Sequence, residues 1–72
     1  TTFIDYSIPT QAQVRLTVFD VRGNKVAELV NAQQSPGSYS ATWDASNHAS
    51  GLYWYQLEVN DVKLTKSMLL LK

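Results

Sequence analysis

The chain has no cysteine, a single histidine, two prolines and three glycines. Without cysteine it is held by no disulfide, whichever compartment it enters. With His48 alone, a histidine–cysteine metal centre is excluded. Neither sign of charge dominates: six basic and six acidic side chains cancel. No basic stripe is present, which argues against nucleic acid as a partner. The longest apolar run is four residues, far short of a membrane span. No stretch joins a charged segment to an apolar one in the manner of a signal peptide. The three glycines are scattered and build no phosphate-cradling loop.

What remains must hold a small domain together by packing alone. Seventy-two residues allow one domain, residues 1–72, and a domain of this size hides only about 60% of its unfolded surface. The supply of apolar material is adequate: 44% of the chain, including Phe3, Phe19, Trp43, Trp54 and four tyrosines, each large ring burying on the order of 150–250 Å². The chain opens at Thr1 already inside a strand-like pattern, which reads as a fragment of a longer protein.

Nearly every segment alternates with the period of a strand. Ile4, Tyr6 and Ile8 share one face of Thr2–Ile8, and Pro9 ends it. Val14, Leu16 and Val18 oppose Arg15, Thr17 and Phe19. Gly23-Asn24 marks a turn before a third strand, Lys25–Val30. Pro36-Gly37 fits a type II turn, with Pro at its second and Gly at its third position. Tyr39, Ala41 and Trp43 then share a face. After the polar loop Asp44–Ser50 comes the clearest element, a hairpin of Leu52–Val59 and Val62–Leu71 about Asn60-Asp61. That turn sets the register: Val59 faces Val62, Glu58 faces Lys63, Leu57 faces Leu64, Gln56 faces Thr65 and Trp54 faces Ser67. Trp54 falls on the polar face, as an exposed aromatic contact or under a covering segment. Lys66 falls opposite Tyr55 on the apolar face. Either it snorkels to solvent or a bulge shifts the strand beyond it, exchanging Met68 and Leu70 for Leu69 and Leu71 as inward residues. Six short strands, with a seventh upstream as an option, predict an all-β antiparallel sandwich of the immunoglobulin-like or fibronectin-III-like kind.

Chemistry is harder to find. Asp44, Ser46, His48 and Ser50 include the letters of a hydrolytic triad, but one loop does not converge three groups on an oxyanion site. His48 reads as a solvated loop residue. Asp44 and Asn47 are too few for calcium and better suited to a local Asx turn. The remaining carboxylates are dispersed. No catalytic residue, metal ligand or cofactor site is assigned, and the chain is read as a non-enzyme. The outward leucines of the last strand, on an open edge, would template strand addition, including self-association.

Several stretches together resemble a known family: "VFDVRGNKVAEL", the Gly37–Asp44 run "GSYSATWD", "ASGLYWY" at Ala49–Tyr55, and the closing "KSMLLLK". They are similar to the type A C-terminal sorting domain of type IX secretion cargo, over the whole chain. The sandwich is also similar to the immunoglobulin-like part of the flagellar hook-capping protein. The resemblance implies a non-catalytic targeting module on a secreted or cell-surface protein that crosses the periplasm. Its implied partners are an outer-membrane translocon, a sortase-like peptidase and an N-terminal cargo domain. It carries the recognition role onto Lys66, Ser67, Met68, Leu69, Leu70, Leu71 and Lys72, and the family's central motif onto Gly51 and Tyr53. The Pro-Asn-Pro type segment that usually precedes the first strand of the family is absent before Thr1. The alternative reading is an accessory or carbohydrate-binding module of a secreted hydrolase, with Trp54 as the contact.

Overall fold

A computed structural model describes residues 2–70. Six strands follow one another: β1 (Thr2–Ile8), β2 (Ala12–Phe19), β3 (Lys25–Gln34), β4 (Gly37–Trp43), β5 (Gly51–Val59) and β6 (Val62–Leu70). β1 pairs with β4 in a two-stranded sheet, and a four-stranded sheet runs β3-β2-β5-β6. All pairs are antiparallel. The two sheets face one another as a sandwich, the all-β fold that the alternation predicts.

The core follows the period of two. β2 sends Ala12, Val14, Leu16 and Val18 inward, and Leu16, Val14 and Val18 are the largest fully buried side chains. Ile4 and Ile8 of β1, Ala41 of β4 and Leu57 of β5 close over the Ala12–Leu16 half. Val18 instead meets Trp43, Ala45, Tyr53 and Leu70 at the other end. The small sheet is tied to the large one by polar contacts as well. Tyr6 stacks on Tyr39 with ring centroids 5.4 Å apart, and its hydroxyl donates to Gln34 Oε1 at 2.7 Å.

Three local expectations change. The third strand is longer than its apolar pattern, reaching Gln34, because polar residues suffice where an edge strand borrows its order from β2. Pro36-Gly37 is no type II turn. The chain there passes from one sheet to the other, with Gly37 at φ +150°, whereas a type II turn would hold it near +80°. The Tyr39 hydroxyl braces the crossing by donating to the Ser35 carbonyl at 2.5 Å. His48 is not a solvated loop residue. Its ring lies 5.3 Å from that of Trp43 and 6.3 Å from that of Tyr53, because the loop folds over the sandwich end: Asp44 Oδ1 accepts from Ser46 N, an Asx turn as the sequence suggests, and His48 N donates to Ala45 O.

Candidate functional site

The terminal hairpin is built from its turn outward. Asn60 takes φ +55°, a conformation that asparagine tolerates better than most residues. Its backbone N–H donates to Gln13 O at 3.0 Å, and its side-chain oxygen accepts from Gln13 N at 3.2 Å. The turn is thus clamped to the start of β2, and the register of β6 is set from a fixed point. Nine pairs follow without a shift, from Val59↔Val62 to Gly51↔Leu70. The bulge alternative at Lys66 is therefore not taken.

Alternation then assigns each residue of the carried-over motif. Met68 and Leu70 turn inward. Leu70 is 8% exposed, packed with Val18, Trp43 and Tyr53. Ser67 and Leu69 turn outward, and Leu69 is 65% exposed. Lys66 faces the core side opposite Tyr55 yet is exposed. The reason is the reach of the second sheet: with two strands it closes over β2 and β5, meets β6 only at Leu70 through Trp43, and leaves the Val62–Lys66 part uncovered. Val62 and Leu64, which the pattern places on the apolar face, are for the same reason 60% and 55% exposed. A groove of about 180 Å³ runs between β1 and this uncovered flank, with Leu57, Leu64 and Lys66 in its lining. Leu71 and Lys72, also assigned to the motif, lie outside the described residues.

The central-motif residues do a different job. Gly51 sits at φ +147°, a region essentially reserved for glycine, and opens β5 next to the end of β6. Tyr53 is buried, and its hydroxyl donates to Ala49 O at 2.8 Å. Its ring meets Trp43 edge-on at 5.1 Å. Gly51 and Tyr53 thus latch the loop and seat Leu70 rather than present a surface. Trp54 stands on the outer face between Phe19 and Ser67, 39% exposed. Leu52 and Leu69 are opposite one another one step further along that face.

The ion pairs among the described residues lie away from β6. On the outer face of β3, Glu28 accepts from Asn31 Nδ2 at 3.2 Å and pairs with Arg15 at 3.3 Å and Lys25 at 3.6 Å. The Asn31 hydrogen bond first, then Lys25 and Arg15, hold its carboxyl below the usual range against a smaller cost of desolvation. Asp20 is likewise lowered, chiefly by the Asn24 backbone N–H, in the β2–β3 turn. On β6 the register places Glu58 opposite Lys63 as expected, but among the described residues the two close no ion pair. Gln56 and Thr65 do meet, at 3.5 Å. No group of three His, Asp or Glu gathers for a metal among the described residues.

Sequence reasoning missed the uncovered flank of Val62, Leu64 and Lys66, and the adjacency of Phe19 to Trp54. The second was legible: both are large apolar residues on the polar face of their strands. The first depends on how many strands the other sheet holds.

Taken together, these features define a small all-β module in which β6 is an ordered, exposed edge of the larger sheet. Residues 1–71 match the family described as the secretion system C-terminal sorting domain, and the chain belongs to it. Comparison with curated proteins and with solved structures gave no match. Members of this family direct cargo through the type IX secretion system, and the cargo is a secreted or cell-surface protein that engages the secretion machinery. No helix among the described residues is long and apolar enough to cross a membrane.

Proposed function

We propose that residues 1–72 act as one non-catalytic label, and that the segment Lys66–Lys72 of β6 and its continuation is the part the machinery reads. Met68 and Leu70 anchor it; Ser67 and Leu69 face the reader. Gly51 and Tyr53 hold the anchor in place. Trp54, with Leu52 beside Leu69, extends the contact onto the outer face. An outer-membrane translocon is the reader, reached through the periplasm, and a sortase-like peptidase acts on the cargo afterwards to attach it to the surface.

One observation carries this reading. Over its last three described residues β6 is tied into the core at Met68 and Leu70 while Leu69 between them stands out to solvent, free to touch a partner. A signal of this kind needs order, so that little entropy is lost when it binds, and it needs unsatisfied surface. β6 has both.

The test is a reporter with a signal peptide, fused to the full chain in a type IX-competent cell. Ser67→Asp combined with Leu69→Asp leaves Met68 and Leu70 untouched. Export should fall by an order of magnitude or more while the melting temperature of the purified chain holds. Unchanged export from a folded variant would refute the assignment.

A further inference from the structure

The open edge of β6 has a composition of its own. Its nine residues include two lysines and no carboxylate. Lys63 lies on the outer face and Lys66 on the core-facing flank, since three residues along a strand reverse the side. Each ends a row that runs across the sheet. On the outer face the row is Arg15, Glu58, Lys63, alternating in sign and finishing on a cation at the edge. On the other face it is Val18, Tyr55, Lys66, again finishing on a cation. Neither lysine forms an ion pair among the described residues. Between and beside them stand Leu64 and Val62, apolar and largely uncovered.

We propose that β6 takes an extended acidic segment of a partner protein as an added antiparallel strand, recognised by two carboxylates three residues apart with an apolar residue between them. This rests on the reading of β6 as the recognised strand and adds the chemistry of what recognises it. In the antiparallel register the first carboxylate meets Lys66, and the second continues the Arg15–Glu58–Lys63 row. The apolar residue lies beside Leu64. With the two-residue turn fixing Val59 and Val62 as a bonded pair, alternate main-chain groups point away from β5. Those of Lys63, Thr65, Ser67 and Leu69 are the ones offered to the added strand.

The same charges argue against a second copy of this chain as the occupant. Antiparallel pairing of β6 with itself about Lys66 sets lysine against lysine, and parallel pairing sets both lysines against their equivalents. Like charges directly opposite destabilise a strand pair, and edge lysines are a recurrent guard against self-pairing.

The probe is a capped ten-residue peptide of alternating Thr and Val with a central Glu-Thr-Val-Glu, titrated against the full chain at low salt and followed by amide exchange. A second peptide carries Lys-Thr-Val-Lys instead. The glutamate peptide should bind about tenfold more tightly, lose that advantage at high salt, and protect the amides of Lys63, Thr65, Ser67 and Leu69. Lys63→Glu with Lys66→Glu, both at exposed positions, should invert the preference, its fold checked by thermal melting. Equal binding of both peptides, protection elsewhere, or concentration-dependent dimerisation through the same amides would each overturn the proposal. Its failure is separable from that of the sorting reading. If the peptides do not discriminate but Ser67→Asp with Leu69→Asp still blocks export, only the partner's chemistry is wrong; if export survives those changes, the recognised strand itself is wrong.

Discussion

The four-stranded sheet has two edges, and they are built in opposite ways. β3 is irregular: its register with β2 shifts twice, between Leu16 and Thr17 and between Val18 and Phe19. On its outer face Glu28 pairs with Lys25 and with Arg15 of β2, and a continuous polar chain runs on through Asn31 to Gln13. Bulges and charges of this kind blunt an edge against further pairing. β6 keeps one register over nine pairs, shows Val62, Leu64 and Leu69 to solvent, and has no ion pair among the described residues. One edge is closed by bulges and ion pairs, the other is straight, partly apolar and guarded by Lys63 and Lys66 alone, a difference that fits the proposed role of β6.

The largest effect should come from pulling β6 out of the core. Leu70→Asp places a carboxylate among Val18, Trp43 and Tyr53 and should cost about 3 kcal/mol or more, enough to unfold a domain this small in a thermal melt. Leu69→Asp, one residue away, should move stability by no more than about 0.5 kcal/mol and act on export alone. If both changes shift the melting temperature equally, the two faces of β6 have been misassigned.

A second test removes the guard from β3. Lys25→Val with Glu28→Val discards both of its ion pairs, and light scattering should show the chain associating at concentrations where the parent stays monomeric. Leu64→Lys on β6 should do the reverse and reduce any residual association. A third concerns the outer aromatic: Trp54→Ala should lower stability by about 1 kcal/mol, since the ring is only partly covered, and weaken export less than Leu69→Asp does.

The smallest effect is electrostatic. The Glu28 carboxyl is held lower in the folded than in the unfolded chain. Its contribution is therefore complete above the unfolded value and is lost as pH falls through the folded one. Melting curves taken down through the acid range should show a modest decline that Glu28→Gln flattens. Salt should erase part of the difference, because the group is well exposed to solvent.

The hairpin of β5 and β6 was readable residue by residue because both of its determinants are local. Asn60-Asp61 fixes the pairing, and alternation fixes the side, so Glu58 opposite Lys63 and Trp54 opposite Ser67 needed no knowledge of the rest. The same holds for the inward set of β2. The Lys66 ambiguity was real at that level, since a bulge and a snorkelling lysine leave the same letters. What settled it was the uncovered flank, where a lysine on the core side reaches water without any bulge.

His48 and Pro36-Gly37 were misread for the same reason. A polar loop and a Pro-Gly pair have preferred local forms, but Trp43 and Tyr53 supplied a surface that drew the imidazole in, and the change of sheet at Ser35 stretched the turn open. By itself, then, the order of residues determined the strands, their inward faces, the terminal hairpin and, through its motifs, the family. Only the tertiary structure decided that the second sheet is two strands wide, so that β6 is buried at Leu70 and bare at Val62 and Leu64. Side-chain alternation is a property of neighbours along the chain, whereas coverage depends on which distant strands lie above, and no local pattern encodes that.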